Sequence, residues 1–311
     1  MFINGPMQTN DIHLNINFDV KIEQQKVNSL YMNEFIFSCT SDSPKSIAKA
    51  LISIDWKEPE NQSCSVSVSK AGILFLTEDV SVLQANVLLA STMFRQYSLL
   101  TNTSYDFHIN LTSLVYCLNL LTETASSIEI KVSDAEFNLL IHDRGSVTEC
   151  NLRTLHYPSD ENQPNLSDAF SSKNSPEVAQ FQIASINARE MFRFPNEQKN
   201  KSVGLSMSID PDERIFEVKA EGAYGAVKSV MSFSQPILQR VKLDLNERLT
   251  AHYPVSSLTP MLKALSFSNE CIFKFKLNGM VAIQQGIKST NVSGNDIYVE
   301  FIIQPSDDSI I

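Results

Sequence analysis

Apolar residues fall along this chain in two periods, one suited to helices and one to strands. Ile47, Ala50, Leu51 and Ile54 recur at i, i+3, i+4 and i+7, which predicts a helix with one buried face. Ser43-Pro44 starts it, with serine as N-cap and proline in the first turn. Val66 and Val68 alternate with serines up to a Lys70-Ala71-Gly72 turn, and the apolar run 73–76 closes a hairpin. A second helix starts near 110–113 and buries Leu114, Cys117, Leu118 and Leu121. Ile128, Ile130 and Val132 then alternate with Glu129 and Lys131 into a Ser133-Asp134 turn, and a strand returns through Ile141. One more strand covers 147–155. The first 30 residues are polar apart from an alternating piece at 12–18, which suits either an added edge strand or a loose extension.

The stretch 158–177 breaks this grammar. It holds three prolines, many Ser, Asn and Asp residues, and scattered apolar ones at Leu166, Ala169 and Phe170, a linker by composition. Beyond it the earlier order resumes. Phe181 and Ile183 mark a strand, and Ser185 caps a helix through Phe194. Leu205, Met207 and Ile209 alternate with serines into an Asp210-Pro211-Asp212 turn, with the return strand at 215–218.

The halves also match in register. Leu111, Leu114, Leu118 and Leu121 correspond to Val255, Leu258, Leu262 and Leu265 at one constant offset. One residue later in register, Ile128, Ile130 and Val132 correspond to Phe273, Phe275 and Leu277. Together with a central linker, this predicts a duplicated unit. The expected layout is an extension at 1–30, domains at 31–157 and 178–306, a linker at 158–177 and a tail at 307–311. Each domain is expected to be α+β, with two helices on an antiparallel sheet. A length of 311 residues suits two cores better than one.

Composition removes some functions and leaves others open. The net charge of −10 argues against a surface that coats nucleic acid everywhere. It leaves room for a local basic face, because charges are screened over about 10 Å. No basic segment followed by an apolar run opens the chain, and no run of about 18 apolar residues occurs, so neither a signal peptide nor a membrane span is expected. Five cysteines, at 39, 64, 117, 150 and 271, are odd in number and scattered, which suits a reducing intracellular compartment rather than a disulfide or zinc framework. Asp134-Ala135-Glu136 has the Asp-x-Glu form of metal-dependent nucleases, yet it sits at a turn where Asp is expected on backbone grounds. The five histidines never reach ligand spacing, and nucleotide-loop and hydrolase motifs are lacking. No catalytic residue, metal or cofactor is therefore expected.

One set of residues carries a resemblance. The segment Phe107-His108-Ile109-Asn110-Leu111-Thr112-Ser113-Leu114, running on to Leu121, resembles the second helix of the DNA sliding-clamp family, which includes proliferating cell nuclear antigen. Lys70-Ala71-Gly72-Ile73 leading to Val82-Leu83-Gln84-Ala85-Asn86-Val87 narrows the likeness, as does Tyr298-Val299-Glu300-Phe301 followed by Gln304-Pro305-Ser306-Asp307-Asp308. They are similar to the Rad-one-type subunit of the heterotrimeric 9-1-1 checkpoint clamp. The resemblance spans about residues 30–308.

It implies a processivity fold, with two similar domains forming one third of a pseudo-sixfold ring, helices lining the hole and sheets outside. Lys45 and Lys49, Arg189 and Arg193, Lys199, Lys201 and Lys263 would then face duplex DNA, giving sequence-independent, salt-sensitive attraction. Tyr116 and Asn119 stand where the homotrimeric clamp's helix carries lysines, so DNA would be held less evenly here. Subunit interfaces would fall on the strands near 147–155, with Val147, Cys150 and Leu152, and near 223–232, with Ala226, Val227 and Val230. Leu166 and Phe170 would anchor a partner in a groove beside the linker. The implied partners are two paralogous subunits, an ATP-dependent loader, double-stranded DNA, and checkpoint and repair proteins in the nucleus. A self-associating replication clamp and a 3′–5′ exonuclease using Asp134 and Glu136 are the alternatives.

Overall fold

The computed structural model describes residues 35–57, 61–79, 82–156, 165–197, 204–222, 225–288 and 297–306. The extension at 1–30, the first part of the linker, Lys199, Lys201 and the tail at 307–311 lie outside them.

The first half opens with β1 (Phe37–Ser41) and α1 (Pro44–Ser53). Ser43 is the residue before α1 and Pro44 its first, but no side-chain cap bond forms there. The predicted apolar face is buried in full, with Ile47, Ala50, Leu51 and Ile54 each at 2% exposure or less. Three hairpin-linked strands follow: β2 (Ser63–Ser69), β3 (Gly72–Asp79) and β4 (Leu83–Ala90). In β2 the serines point out while Cys64, Val66 and Val68 are buried. Gly72 has φ +150°, and a Cβ there would meet the Leu89 carbonyl oxygen at 2.2 Å, so β3 approaches β4 closely only with glycine at this point. Next come β5 (Gln96–Leu99), β6 (Tyr105–Asn110) and α2 (Leu111–Leu118). Here the cap is real, because Asn110 Oδ1 accepts from the Ser113 amide at 2.8 Å. The half ends with β7 (Ala125–Val132), β8 (Glu136–Asp143) and β9 (Ser146–Arg153). Arg144 and Gly145 join β8 to β9 with φ of 44° and 90°, the left-handed pair that a two-residue hairpin needs.

Part of the expected linker is helical. Residues Leu166–Ser171 form α3, because Leu166 and Phe170 share one face and find apolar partners beneath them. Then the first order repeats: β10 (Glu177–Ala184), α4 (Ser185–Glu197), β11 (Gly204–Asp210), β12 (Ile215–Gly222), β13 (Gly225–Ser232), β14 (Leu238–Leu243) and β15 (Leu249–Pro254). It closes with α5 (Leu258–Leu265), β16 (Glu270–Lys276), β17 (Val281–Ile287) and β18 (Ile297–Ile303). The residue match found in sequence holds through β16 and fails at its end. Leu277 lies in the following turn, half exposed, where Val132 is buried.

Among the described residues all strand pairs are antiparallel, in three sheets. The first runs β5-β1-β7-β8-β9, the second β14-β10-β16-β17-β18-β4-β3-β2-β6, and the third β13-β12-β11-β15. The long sheet is two shorter ones fused. Its part β14-β10-β16-β17-β18 repeats the first sheet, and its part β4-β3-β2-β6 repeats the third. The fusion is the pairing of β18 with β4, from Tyr298 opposite Leu88 to Ile303 opposite Leu83. Four of the helices make a row beside these sheets: α2 contacts α1, α1 contacts α5, and α5 contacts α4. Lys263 on α5 donates to the Asp55 carbonyl beyond α1 at 2.7 Å, a second tie between the halves.

Candidate nucleic-acid and subunit interfaces

Of the six strands that end a sheet among the described residues, β9 and β13 stand where the other half has β18 and β4, which pair with each other. Among the described residues β9 has a partner only in β8, and β13 only in β12. Such edges leave backbone N–H and C=O groups available to another chain. On β13, Ala226, Val227 and Val230 are exposed, Val230 at 48%. Val227 stands opposite buried Ala220 on the core side, yet it is 39% exposed because nothing covers it beyond the edge. Lys228 on the other side of β13 holds the buried Glu217 carboxylate at 3.2 Å, and Arg248 shares that carboxylate at 3.3 Å. On β9, Val147 is half exposed and Leu152 partly so, but Cys150 is not a surface residue. It is buried opposite Leu139, and its thiol hydrogen-bonds that of Cys117 on α2. That bond and burial together push the Cys117 thiol up, while the same bond draws the Cys150 thiol down; both side chains are buried.

The helical row carries the candidate cations. Its four helices hold Lys45, Lys49, Arg189, Arg193 and Lys263 against only Glu190 and Glu197, in a chain of net charge −10. These cations differ in freedom. Lys49 and Arg189 are exposed. Arg193 is exposed and paired with Glu190 at 3.2 Å. Lys45 is bonded to the Glu123 carboxylate, which its ammonium holds below the usual carboxylate range. Lys263 is partly buried against Asp55, where it joins the halves instead of standing free. On α2 Tyr116 is exposed, at 56%, as is Asn119 just past its end, so that helix presents no cation.

On the opposite face of the long sheet lies the place expected for a partner groove. Phe170 lines a groove of about 360 Å³ with Ser167, Glu177, Lys274, Lys276 and Glu300. Leu166 does not line it. Its side chain is buried among Met280, Ala282 and Ile302, so it serves internal packing rather than an open anchor site. No spacing rule shows that difference, since both residues are lone apolar positions in a polar stretch.

The Asp134–Glu136 pair sits at the β7–β8 turn. Asp134 Oδ1 accepts the Tyr105 hydroxyl at 3.1 Å, and the Asp134 carbonyl accepts from Thr154 at 2.7 Å. Both bonds fasten the turn. Among the described residues no three or more His, Cys, Asp or Glu gather as a metal would require, and no helix is long and apolar enough to cross a membrane.

A family model described as repair protein Rad1/Rec1/Rad17 matches residues 36–287, which takes in both free edges and every helix of the row. No curated protein matches the chain. The chain therefore belongs to the Rad1/Rec1/Rad17 family of 9-1-1 clamp subunits, which act in the DNA damage checkpoint and DNA repair.

Proposed function

We propose that this chain forms one third of a closed ring of three different subunits, joined to a paralogous neighbour at β9 and to another at β13. One observation carries the reading. By position in their halves, β9 corresponds to β18 and β13 to β4, and β18 and β4 pair with each other inside the chain. The molecule thus holds one complete junction and half of two more. Three such chains, with six similar halves, would close by repeating a contact that the fold already makes.

In that ring the helical row faces the hole. Lys49, Arg189 and Arg193 contribute most of this chain's attraction to the duplex. The interaction is non-specific and weak, as sliding demands. The subunit itself is non-catalytic, is placed on DNA in the nucleus by an ATP-dependent loader, and offers its outer face to checkpoint and repair proteins, with the groove beside α3 as one docking place.

Co-expression with two paralogous clamp subunits tests this. A complex with one copy of each is expected by light scattering, and Val230→Asp on β13 should remove one neighbour while keeping the other. A stable homotrimer of this chain alone would transfer the reading to a self-associating replication clamp. Intact heterotrimers from Val230→Asp and from Val147→Asp would sink the edge-pairing scheme.

A further inference from the structure

Strand β9 is held to the core by one side chain. Of its eight residues only Cys150 is buried, with Leu152 partly covered on the same side. Helix α2 packs against this strand, and the side chain it sets against Cys150 is Cys117, itself buried. The two thiols hydrogen-bond each other. The anchor of an edge strand is therefore a pair of touching sulfurs.

The other cysteines are placed differently. Cys39, Cys64 and Cys271 are at 2% exposure or less, and burial pushes each thiol up, that of Cys64 to about 12. Cys150 moves the other way, because the Cys117 thiol donates to its sulfur and steadies the thiolate. The thiolate is the reactive form, so oxidation selects Cys150 over those three. Burial does not seal it off. Among the described residues β9 is paired only with β8, and one buried side chain holds it, so local opening of the strand exposes the sulfur without opening the core.

We infer that Cys117 and Cys150 form a peroxide-sensitive dithiol whose disulfide locks β9 onto α2. The Cys150 thiolate attacks one oxygen of hydrogen peroxide, the O–O bond breaks, and the departing hydroxide takes up the thiol's proton as water. This leaves Cys150 as a sulfenic acid. The Cys117 sulfur then attacks the Cys150 sulfur; the S–S bond forms, the S–O bond breaks, and a second water leaves with the Cys117 proton. Two thiols are oxidised and one peroxide is reduced. Hydrogen-bonded sulfurs are already in contact, so reaching a bond of about 2.05 Å asks for side-chain rotation and not for rebuilding of the strand.

Oxidation replaces a strand held by one packed side chain with a strand tied covalently to a helix of the core, and a small thiol releases it again by exchange. In a reducing compartment such a bond is transient, which suits a sensor better than a permanent staple. The site belongs to the single chain and stands apart from the ring reading, in which β9 is the edge offered to a neighbour.

The test treats the reduced, full-length chain with hydrogen peroxide and maps its cysteines by mass spectrometry. A monomer lighter by two hydrogens, with Cys117 linked to Cys150, is expected, and dithiothreitol should restore both thiols. Cys150 should react at least about tenfold faster than Cys39, Cys64 or Cys271. Hydrogen exchange should slow at least about tenfold over residues 146–153 in the disulfide form and stay unchanged over β13. The melting temperature should rise by about 5 °C or more and fall back on reduction. Two variants assign the roles: Cys117→Ser should halt at a Cys150 sulfenic acid that dimedone traps, and Cys150→Ser should leave Cys117 a thiol. The wild-type map stands even if neither variant folds. Equal reaction at all five cysteines, a bond between two chains, or oxidation no faster than global unfolding would overturn the inference. A Cys117–Cys150 bond that left exchange in β9 unchanged would overturn the lock.

Discussion

The internal junction of β4 with β18 and the free edges β13 and β9 occupy the same positions in the two halves, yet their core-facing residues differ. At the junction those residues are Leu83, Ala85, Val87 and Leu89 on one strand and Ile297, Val299, Phe301 and Ile303 on the other, all 2% exposed or less. The corresponding positions on β13 are Gly225, Val227, Ser229 and Met231, and on β9 they are Ser146, Thr148, Cys150 and Leu152. One backbone arrangement has thus been given two kinds of side chain. Fully burying each aliphatic or aromatic side chain contributes roughly 1.5–3 kcal/mol, so the inner junction is held by much of the core itself. Small and polar residues at the edges contribute less per residue and depend more on backbone pairing and polar matching. The internal contact is apolar, whereas the edges have the make-up that the proposed ring would need for choosing its neighbours.

Substitution separates the two. Phe301→Ala should cost about 3–5 kcal/mol, enough to lower the melting temperature by ten degrees or more or to stop folding. By contrast, Val230→Asp on β13 should change the stability of the lone chain by less than about 0.5 kcal/mol. The same change should weaken binding to the neighbouring subunit at least about tenfold in a pull-down titration, since it puts a carboxylate where apolar surface is to be covered. Equal melting losses for the two variants would erase the distinction between junction and edge. Cys150 sharpens it further. Being buried against Cys117, Cys150→Ala belongs with the core losses, and should lower the melting temperature more than Val147→Asp on the same strand.

Junction and edge differ as well in how far sequence reveals them. Helix faces were legible, because a 3.6-residue period is local: Ile47, Ala50, Leu51 and Ile54 are all inside, as are Leu114, Cys117 and Leu118. So was the repeat, except at Leu277, which the register equates with buried Val132 but which lies half exposed in the turn past the strand. The pairing of β4 with β18 was not legible from periodicity. Its two strands lie some 200 positions apart, and no spacing rule links Leu83–Ala90 to Ile297–Ile303. Nor was α3, whose six residues carry one buried side chain in a stretch that composition marks as linker. For the candidate cations, periodicity places each on a helix but does not name its partner. It could not show that Glu123 would engage Lys45 or that Lys263 would reach the Asp55 carbonyl.

Those partners rank the cations. In the assembled clamp, replacing both Lys49 and Arg189 by alanine should reduce the slope of log affinity against log salt by roughly 0.9 for each phosphate no longer neutralised, close to two in total. Lys45→Ala should change that slope less, because its charge is already matched by Glu123. An unchanged slope in both variants, measured by DNA binding at several salt concentrations, would show that the helical row does not face DNA.

The smallest expected effect lies just past the free edge β9. Leu155 and His108 exchange both backbone hydrogen bonds at 2.8 Å, which fastens the chain leaving β9 to β6. The His108 ring also meets Ser65 Oγ at 2.8 Å on the outer face. Burial first, then the neighbouring charge of His156, lowers the His108 pKa from its ordinary value, with Glu78 opposing. A depressed pKa means that the unfolded chain binds the proton more readily than the folded one. This contribution to stability is therefore complete above about pH 6.5 and is lost as acidification carries the chain down through the folded pKa. The melting temperature of the lone chain should fall between pH 7 and pH 5, and His108→Gln should flatten part of that fall. The β4–β18 junction, some way along the sheet and built from apolar side chains, should not share the response, so hydrogen exchange at low pH should rise first around residues 105–110 and 153–155. Parallel melting curves for wild type and His108→Gln across that range would remove His108 as the reason the end of this edge is held.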